Sequence, residues 1–193
     1  MRSLEWLLSP KITNKFKGSL GELYYKEFCD QTGWAYISLE NIHEFMNAEW
    51  TFTFKKGFHR IPIKIPEKFR EEIKLIVKPT NHSKTSPSFV FDFLNCKVGS
   101  YKDYSTVKPN HNFNWAEIKT GQSPFTSSQV NAMSKITIPL AIFHILDVLE
   151  KPELVQMGYN ILDGKVWLEE MVPIDNEIYE IGSKRLLSGP IKS

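Results

Sequence analysis

Hydrophobic and polar positions along this 193-residue chain alternate between helical and strand-like spacing. Apolar side chains recur at helical spacing over residues 20–29, which predicts a helix that ends before Gly33. Residues 34–39 predict a first strand, and the short, uniformly apolar run 140–146 predicts a buried central strand. The pattern therefore favours an α/β fold.

Between these segments lie an aromatic stretch, a basic amphipathic helix predicted over residues 67–77 and a polar loop over residues 80–87. Strands are predicted around residues 88–94 and 113–119, followed by a turn and a helix start with Gln129 in its first turns. Residues 155–161 and 165–168 predict a strand pair around Asp163 and Gly164, whereas we expect residues 169–180 to be solvated and 182–193 to be loosely ordered. The predicted order is α-β-insertion-β-β-α-β, in a single domain over residues 1–193 with residues 45–87 inserted after the first strand.

A carboxylate and an ammonium lie two residues apart in the strand predicted over residues 113–119. Residues two apart on a strand point to the same face, so Glu117 and Lys119 are predicted to lie side by side while Ala116 and Ile118 face the other way. Such a pair can hold a hard divalent cation and offset negative charge on a phosphate. The alternative is an exposed ion pair on an outer face, since such pairs are common and contribute little to stability.

A second acid, Asp92, lies within the apolar run 88–94, where a charge needs a partner or a metal. Two carboxylates brought together on adjacent strands imply a cation between them, because burying them without compensation is costly. Asp103 is a rival for this position, although its surroundings are typical of an exposed turn.

Asp92, the Glu117-Ile118-Lys119 sequence and Gln129 together resemble the core of the PD-(D/E)XK nuclease superfamily. Residues 117–129 are similar in particular to the VRR-NUC and archaeal Holliday-junction-resolvase-like branches, and residues 18–22 resemble the Gly-x-x-Gly-Glu start of the first helix in resolvase-like members. The chain departs from the pattern in two ways. Phe91 stands where the name of the superfamily has proline, and the interval between Asp92 and Glu117 is longer than a tight hairpin needs, which costs little because closure entropy grows slowly with loop length.

The resemblance implies a restriction-endonuclease-like core, αβββαβ, with a central mixed sheet flanked by helices. It implies a metal-dependent endonuclease that hydrolyses DNA phosphodiester bonds with Mg²⁺ or Mn²⁺. The implied metal ligands are Asp92, Glu117, the backbone carbonyl of Ile118 and, as an auxiliary, Glu22. Lys119 would position the attacking water and offset charge in the transition state, and Gln129 would orient Lys119 or the water.

Basic residues are concentrated between positions 55 and 84, where nine lysines and arginines accompany three acids, although the whole chain carries a formal net charge of only +2. Such an asymmetry suits a surface that meets a phosphate backbone. A solvated amphipathic helix over residues 67–77 is the alternative, and the nuclease motif favours contact with DNA. The predicted DNA-binding residues are Lys55, Lys56, Arg60, Lys64, Lys68, Arg70 and Lys74.

Other features exclude classes of protein. No apolar run approaches the roughly 20 residues of a membrane helix, and the N-terminal apolar stretch is too short for a signal peptide. Cys29 and Cys96 form neither a disulfide framework nor a zinc quartet, so we expect reduced thiols in a cytoplasmic protein. His144 is predicted to be a satisfied core histidine, and the alternating aromatic residues of 50–58 fit either a core or a surface that stacks on bases.

Two other functions remain open at this level. A nucleic-acid-binding protein that retains the nuclease fold without hydrolysis would bind DNA in a salt-dependent manner and would need no metal. An interaction protein would carry the Glu-x-Lys pair by coincidence. The resolvase likeness also leaves a homodimer open, and the motif does not distinguish junction, flap, duplex or single-stranded substrates.

Overall fold

The structure of the protein, a computed structural model, describes residues 13–42, 49–78, 88–99, 112–121, 123–145, 147–149, 152, 154–162, 165–175 and 178–186. In chain order its elements are α1 (Asn14–Gln31), β1 (Trp34–Ser38), β2 (Thr51–Lys56), β3 (His59–Lys64), α2 (Glu67–Ile76), β4 (Val77–Lys78), β5 (Ser88–Phe89), β6 (Phe93–Lys97), β7 (Phe113–Thr120), α3 (Ser127–Met133), β8 (Leu140–Ile145), β9 (Leu154–Leu162), β10 (Lys165–Asp175) and β11 (Ile178–Leu186).

Nine of these strands form one sheet in the order β11-β10-β9-β8-β7-β6-β1-β2-β3, and β4 pairs separately with β5. Neighbouring strands run antiparallel except β7 and β8, which are parallel. A parallel pair needs a crossover connection, and the segment that contains α3 supplies it. The prediction of an α/β fold with a mixed sheet is therefore confirmed.

Helix α1 begins earlier than the hydrophobic pattern predicted, because the Thr13 side chain accepts a hydrogen bond from the amide of Phe16 and caps its first turn. The helix packs on one face of the sheet, where Tyr25 and Cys29 join a buried cluster with residues of β1, β6, β7 and β8. Gly21 lies at the closest approach to the sheet. A Cβ atom built there would lie 2.5 Å from Cγ2 of Thr120 on β7.

The close approach at Gly21 makes a stability prediction. Gly21→Ala is expected to destabilise the protein by about 1–3 kcal/mol, because the added methyl group forces α1 away from β7. Gly18→Ala is the matched control: it lies in the same helix with no atom within 4 Å of the added Cβ, and alanine favours a helix by about 1 kcal/mol. Urea denaturation measures both. Equal stability of the two variants would contradict a requirement for this contact.

The predicted insertion contributes two strands to the sheet. β2 pairs with β1, and β3 forms the edge beyond it. Phe52 and Phe54 are fully buried in the main core, beneath Ile73 and Ile76 of α2, so stacking on bases is wrong for these two aromatics. Phe58 instead is fully exposed at the turn between β2 and β3. The predicted polar loop 80–87 lies outside the described residues.

Two predictions for the C-terminal third fail in part. Residues 169–180 are predicted to be solvated, but Glu169 is buried. Residues 182–193 are predicted to be loosely ordered, but β11 continues the sheet as far as Leu186. Residues 187–193, and the turn residues Asp163 and Gly164, lie outside the described residues, whereas the strand pair on either side of that turn is confirmed.

The two cysteines and His144 all lie among the described residues. Cys29 and Cys96 are free and buried, as expected for reduced thiols. His144 forms a short hydrogen bond from its Nε2 to the carbonyl of Gly121, so it is satisfied as predicted, but it is half-buried and not a core residue. Across the part of the chain that the structure describes, no helix combines the length and apolar character needed to span a membrane.

Candidate active site

Strand β7 places Glu117 and Lys119 together on one face. Trp115, two residues earlier, belongs to the main core on this face, whereas Ala116 belongs to the cluster under α1 on the other face. The side chain of Glu117 is 3% exposed and that of Lys119 is 10% exposed, with Nζ of Lys119 2.8 Å from Oε1 of Glu117. The alternative of a solvated surface pair is therefore wrong.

Asp92 faces Glu117 from a bend just before β6, and not from within a strand as predicted. Its amide donates to the carbonyl of Ala116 at 3.1 Å, and its Oδ2 accepts from the amide of Ile118 at 2.8 Å. The Asp92 carboxylate thus accepts the β7 amide that a backbone carbonyl would accept in a regular strand, and the backbone hydrogen bonds between β6 and β7 are interrupted at this point. Because these two bonds flank Glu117, both acids lie at the same point of the sheet.

Gln129 connects the acids to helix α3. Its side chain and that of Thr126 form a reciprocal capping box: Oγ1 of Thr126 accepts from the Gln129 amide at 3.2 Å, and Oε1 of Gln129 accepts from the Thr126 amide at 3.0 Å. The same Oε1 also accepts from Nζ of Lys119 at 3.0 Å. Nε2 of Gln129 donates to Oε1 of Glu117 at 2.6 Å and to the carbonyl of Val90 at 3.1 Å. The side-chain amide of Gln129 therefore fixes the positions of the Glu117 carboxylate and the Lys119 ammonium relative to each other.

Burial governs the charge states of the two acids. The pKa of Glu117 is raised to about 8, mainly by burial and also by the negative charge of Asp92, and the ion pair with Lys119 opposes this rise without cancelling it. The pKa of Asp92 is likewise raised to about 6, mainly by burial, with the hydrogen bond from Ile118 opposing the rise and the charge of Glu22 adding to it. Oε2 of Glu117 is buried and accepts no hydrogen bond. A cation beside these oxygens would relieve all of these costs.

The donor set fits a hard divalent cation, since carboxylate oxygens are its preferred ligands and the unpartnered Oε2 of Glu117 is free to bind one. In the described residues, no group of three or more His, Cys, Asp or Glu side chains could hold a metal ion. Asp92 and Glu117 are therefore two carboxylates that would share a cation with non-carboxylate ligands. Mg²⁺ is commonly bound in this way, through one or two carboxylates plus water and substrate phosphate.

Glu22 lies near this cluster but outside its hydrogen bonds. Its charge contributes to the raised pKa of Asp92, while its carboxylate pairs with Lys26 at 3.3 Å along the helix and its side chain is 38% exposed. The structure therefore brings Asp92, Glu117, Lys119 and Gln129 together and leaves Glu22 at the margin.

The prediction that Lys56 binds nucleic acid is wrong, because its ammonium is buried against the end of α1. Nζ of Lys56 donates to the carbonyls of Cys29 at 2.9 Å and Asp30 at 3.3 Å, and also to that of Thr32. These carbonyls lie at the C-terminal end of α1, where a cation is favourable, and that of Cys29 also accepts from the amide of Thr32 at 3.3 Å. Desolvation lowers the pKa of Lys56.

The other predicted basic residues do not share one surface. Lys55 pairs with Tyr36 and Arg60 in the sheet, which places Lys55, Arg60 and, by alternation, Lys64 on the face that α1 covers. Lys68, Arg70 and Lys74 lie on α2, which covers the opposite face. Lys74 also pairs with Glu71 at 2.6 Å. The charge asymmetry of the sequence is therefore divided between the two faces of the sheet.

Glu72 on α2 is a structural residue that sequence reasoning missed. Its Oε1 accepts from the indole of Trp115 at 2.7 Å, and its Oε2 accepts from the amide and hydroxyl of Thr137 at 2.7 and 2.6 Å. Glu72 thus ties α2 both to β7, two residues before Glu117, and to the loop that follows α3. Its partners lie 43 and 65 residues away along the chain, so no local pattern could have identified it.

The paired carboxyls predict how stability depends on pH. Their pKa values rise on folding, from 3.8 to about 6 for Asp92 and from 4.5 to about 8 for Glu117. The folded protein therefore holds these protons more tightly than the unfolded chain. Their stabilising contribution is complete below about pH 4 and is lost as the pH rises through about 6 and then about 8.

Without metal, the free energy of unfolding is expected to fall between about pH 5 and pH 8 through these two groups. Mn²⁺ is expected to stabilise the protein more at the higher pH, because metal and protons compete for the same oxygens. Urea denaturation at both pH values, with Mn²⁺ and with EDTA, measures the effect. The same Mn²⁺ stabilisation at both values would contradict binding at these carboxyls.

Asp103, the rival first acid, lies outside the described residues.

Comparisons with known proteins leave the site to be judged on its geometry: no family model, no curated protein and no solved structure matches the chain.

Proposed function

We propose that this protein is a metal-dependent deoxyribonuclease that hydrolyses phosphodiester bonds of DNA. The observation that supports it is the buried meeting of Asp92, Glu117 and Lys119 around the amide of Gln129. Two like charges and an unpartnered carboxylate oxygen are costly in a protein interior unless they serve a cation. The PD-(D/E)XK resemblance implies the same four residues in the same roles.

The element order supports the finer proposal of an αβββαβ core. In this proposal α1, β1, β6, β7, α3 and β8 are the six core elements, and β1, β6, β7 and β8 are adjacent in that order in the sheet. The segment with β2, β3 and α2 is then an insertion between the first and second core strands. β9, β10 and β11 extend the sheet beyond β8.

A divalent cation held by Asp92 and Glu117 would offset charge on the scissile phosphate and lower the pKa of the attacking water. The protein itself fixes the groups around the reacting phosphate. The Ile118 amide orients the Asp92 carboxylate, and Gln129 orients Glu117 and Lys119. The ammonium of Lys119 would offset the charge that grows on the phosphate oxygens.

In the proposed reaction, the oxygen of water attacks phosphorus while the bond to the 3′ oxygen breaks. The proton of the water is lost to solvent or to a carboxylate, and the leaving oxygen gains a proton. The products that the resemblance implies are a 5′-phosphate and a 3′-hydroxyl. The burial that raises the pKa of Glu117 also keeps bulk water away from these groups.

The experiment incubates the protein with duplex, branched and single-stranded DNA in Mg²⁺, in Mn²⁺ and in EDTA. Cleavage of at least one substrate that requires metal is expected. If the protein binds DNA in a salt-dependent manner but cuts no substrate with either metal, the alternative of a non-catalytic nucleic-acid-binding protein replaces this proposal.

A further inference from the structure

A cleft lies at the end of the sheet opposite the candidate active site. Trp34 begins β1 and Lys97 ends β6, and the two are direct partners in the sheet. Asp92 precedes the other end of β6. The cleft has a volume of about 640 Å³ and extends from this pair around the first residues of β7 to the start of α2.

The lining of this cleft combines cations with aromatic rings. Nζ of Lys97 lies 6.0 Å from the ring centre of Trp34, and Nζ of Lys68 lies 4.7 Å from the ring centre of Phe69. Both lysines are exposed. Of the nine described residues that line the cleft, none is acidic, and two others are asparagines, Asn112 and Asn114. The cleft therefore offers positive charge, flat apolar surface and amide groups for hydrogen bonds.

These three features fit a ligand that carries phosphates and flat bases. The bases must be unstacked to reach an aromatic ring, which excludes the interior of a duplex and favours a single strand. We propose that the cleft binds single-stranded nucleic acid and anchors it at a distance from the candidate active site.

The distance between the two sites suits one strand. From Phe113, which lines the cleft, to Lys119 the path along β7 is about 20 Å. A strand with the B-form spacing of about 3.4 Å per phosphate would cover this distance in about six nucleotides, and an unstacked strand, which is more extended, covers it in fewer. The link between anchoring and cleavage rests on the proposed nuclease function, whereas binding in the cleft does not.

The test measures binding by the fluorescence anisotropy of a labelled thymidine dodecamer in EDTA, where metal-dependent cleavage cannot occur. Lys97→Glu is expected to weaken binding about tenfold, because it reverses a charge beside the strand. Lys165→Glu is the matched control: Lys165 is an exposed lysine at the start of β10, the change in net charge is the same, and about a twofold effect is expected. Trp34→Leu is expected to weaken binding about tenfold through lost stacking.

Several results would overturn the anchor. One is that Lys97→Glu and Lys165→Glu weaken binding of the dodecamer equally, and another is that Trp34→Leu binds the dodecamer as tightly as the parent protein does. The others are that the parent protein binds a duplex, or thymidine monophosphate, as tightly as it binds the dodecamer. The cleavage assay separates this proposal from the nuclease proposal. If the parent protein binds DNA through the cleft but cuts no DNA, only the nuclease proposal is contradicted. If the parent protein cuts DNA and the Lys97→Glu variant binds the dodecamer normally, only the anchor is contradicted.

Discussion

Replacing Lys119 by methionine is expected to lower the rate of DNA cleavage by about 100- to 1000-fold, the cost of removing one fixed group that stabilises transition-state charge. The ammonium lies 2.8 Å from Glu117 and 3.0 Å from Gln129, so it is held where charge would develop on the phosphate. Methionine keeps most of the length of the side chain and its contact with the ring of Phe125, which lies 4.7 Å from Nζ, but it carries no charge.

Single-turnover cleavage with enzyme in excess measures this rate without product release. Lys165→Met is the control, since Lys165 is exposed at the start of β10, and it is expected to cut at the parental rate. Mn²⁺ calorimetry on Lys119→Met shows whether the carboxylates still bind metal. If Lys119→Met cuts DNA at the parental rate, the ammonium of Lys119 has no part in the proposed mechanism.

Replacing Asp92 by asparagine is expected to abolish site-specific Mn²⁺ binding and cleavage while it makes the metal-free protein more stable at about pH 8. In the parent protein the Ile118 amide donates to Oδ2 of Asp92 at 2.8 Å. The side-chain oxygen of asparagine can still accept this hydrogen bond. The substitution removes the charge of the partly buried Asp92, which repels that of the buried Glu117. The rise in the pKa of Asp92 from 3.8 to about 6 corresponds to a gain of about 3 kcal/mol. In a chain of this size that gain raises the melting temperature by roughly 9 °C.

Asp30→Asn is the matched control for this variant. The Asp30 carboxylate also accepts a backbone amide, that of Gly57 at 2.6 Å, but it lies at the end of α1 away from the two acids. It is expected to leave Mn²⁺ binding and cleavage unchanged. A metal-free Asp92→Asn protein that is less stable than the parent at about pH 8 would show that the hydrogen bond from Ile118 to a charged oxygen outweighs the repulsion.

Local patterns predicted the parts of the site that depend on neighbours in sequence. Alternation along one strand correctly placed Glu117 and Lys119 on one face, because side-chain direction in a strand has a period of two. The helix start near Gln129 was predictable because Thr126 and Gln129 have capping-box spacing. The α/β class also followed from the order of apolar segments, whereas the mixed sheet was implied by the family resemblance.

The parts that were missed depend on contacts between distant segments. Asp92 sits at a bend because its carboxylate bonds the Ile118 amide of another strand. Lys56 was counted with the DNA-binding residues, although the end of α1, 27 residues earlier, buries its ammonium. The second half of β10 and all of β11 were missed because charged residues along them suggested solvent, whereas the sheet edge beyond β9 accepts further strands through backbone hydrogen bonds.

The double role of Gln129 couples the chemistry of the cluster to the folding of a single seven-residue helix. If α3 frays, the side-chain amide of Gln129 no longer caps the first turn of the helix. Its hydrogen bonds to Glu117 and Lys119 are then lost as well. A short segment can open at a far smaller cost than the whole domain. The bonds from Gln129 to Glu117 and Lys119 can therefore be lost in a brief local opening while the rest of the sheet stays intact, so the rigidity of this one turn sets the fraction of molecules in which these side chains are aligned by Gln129.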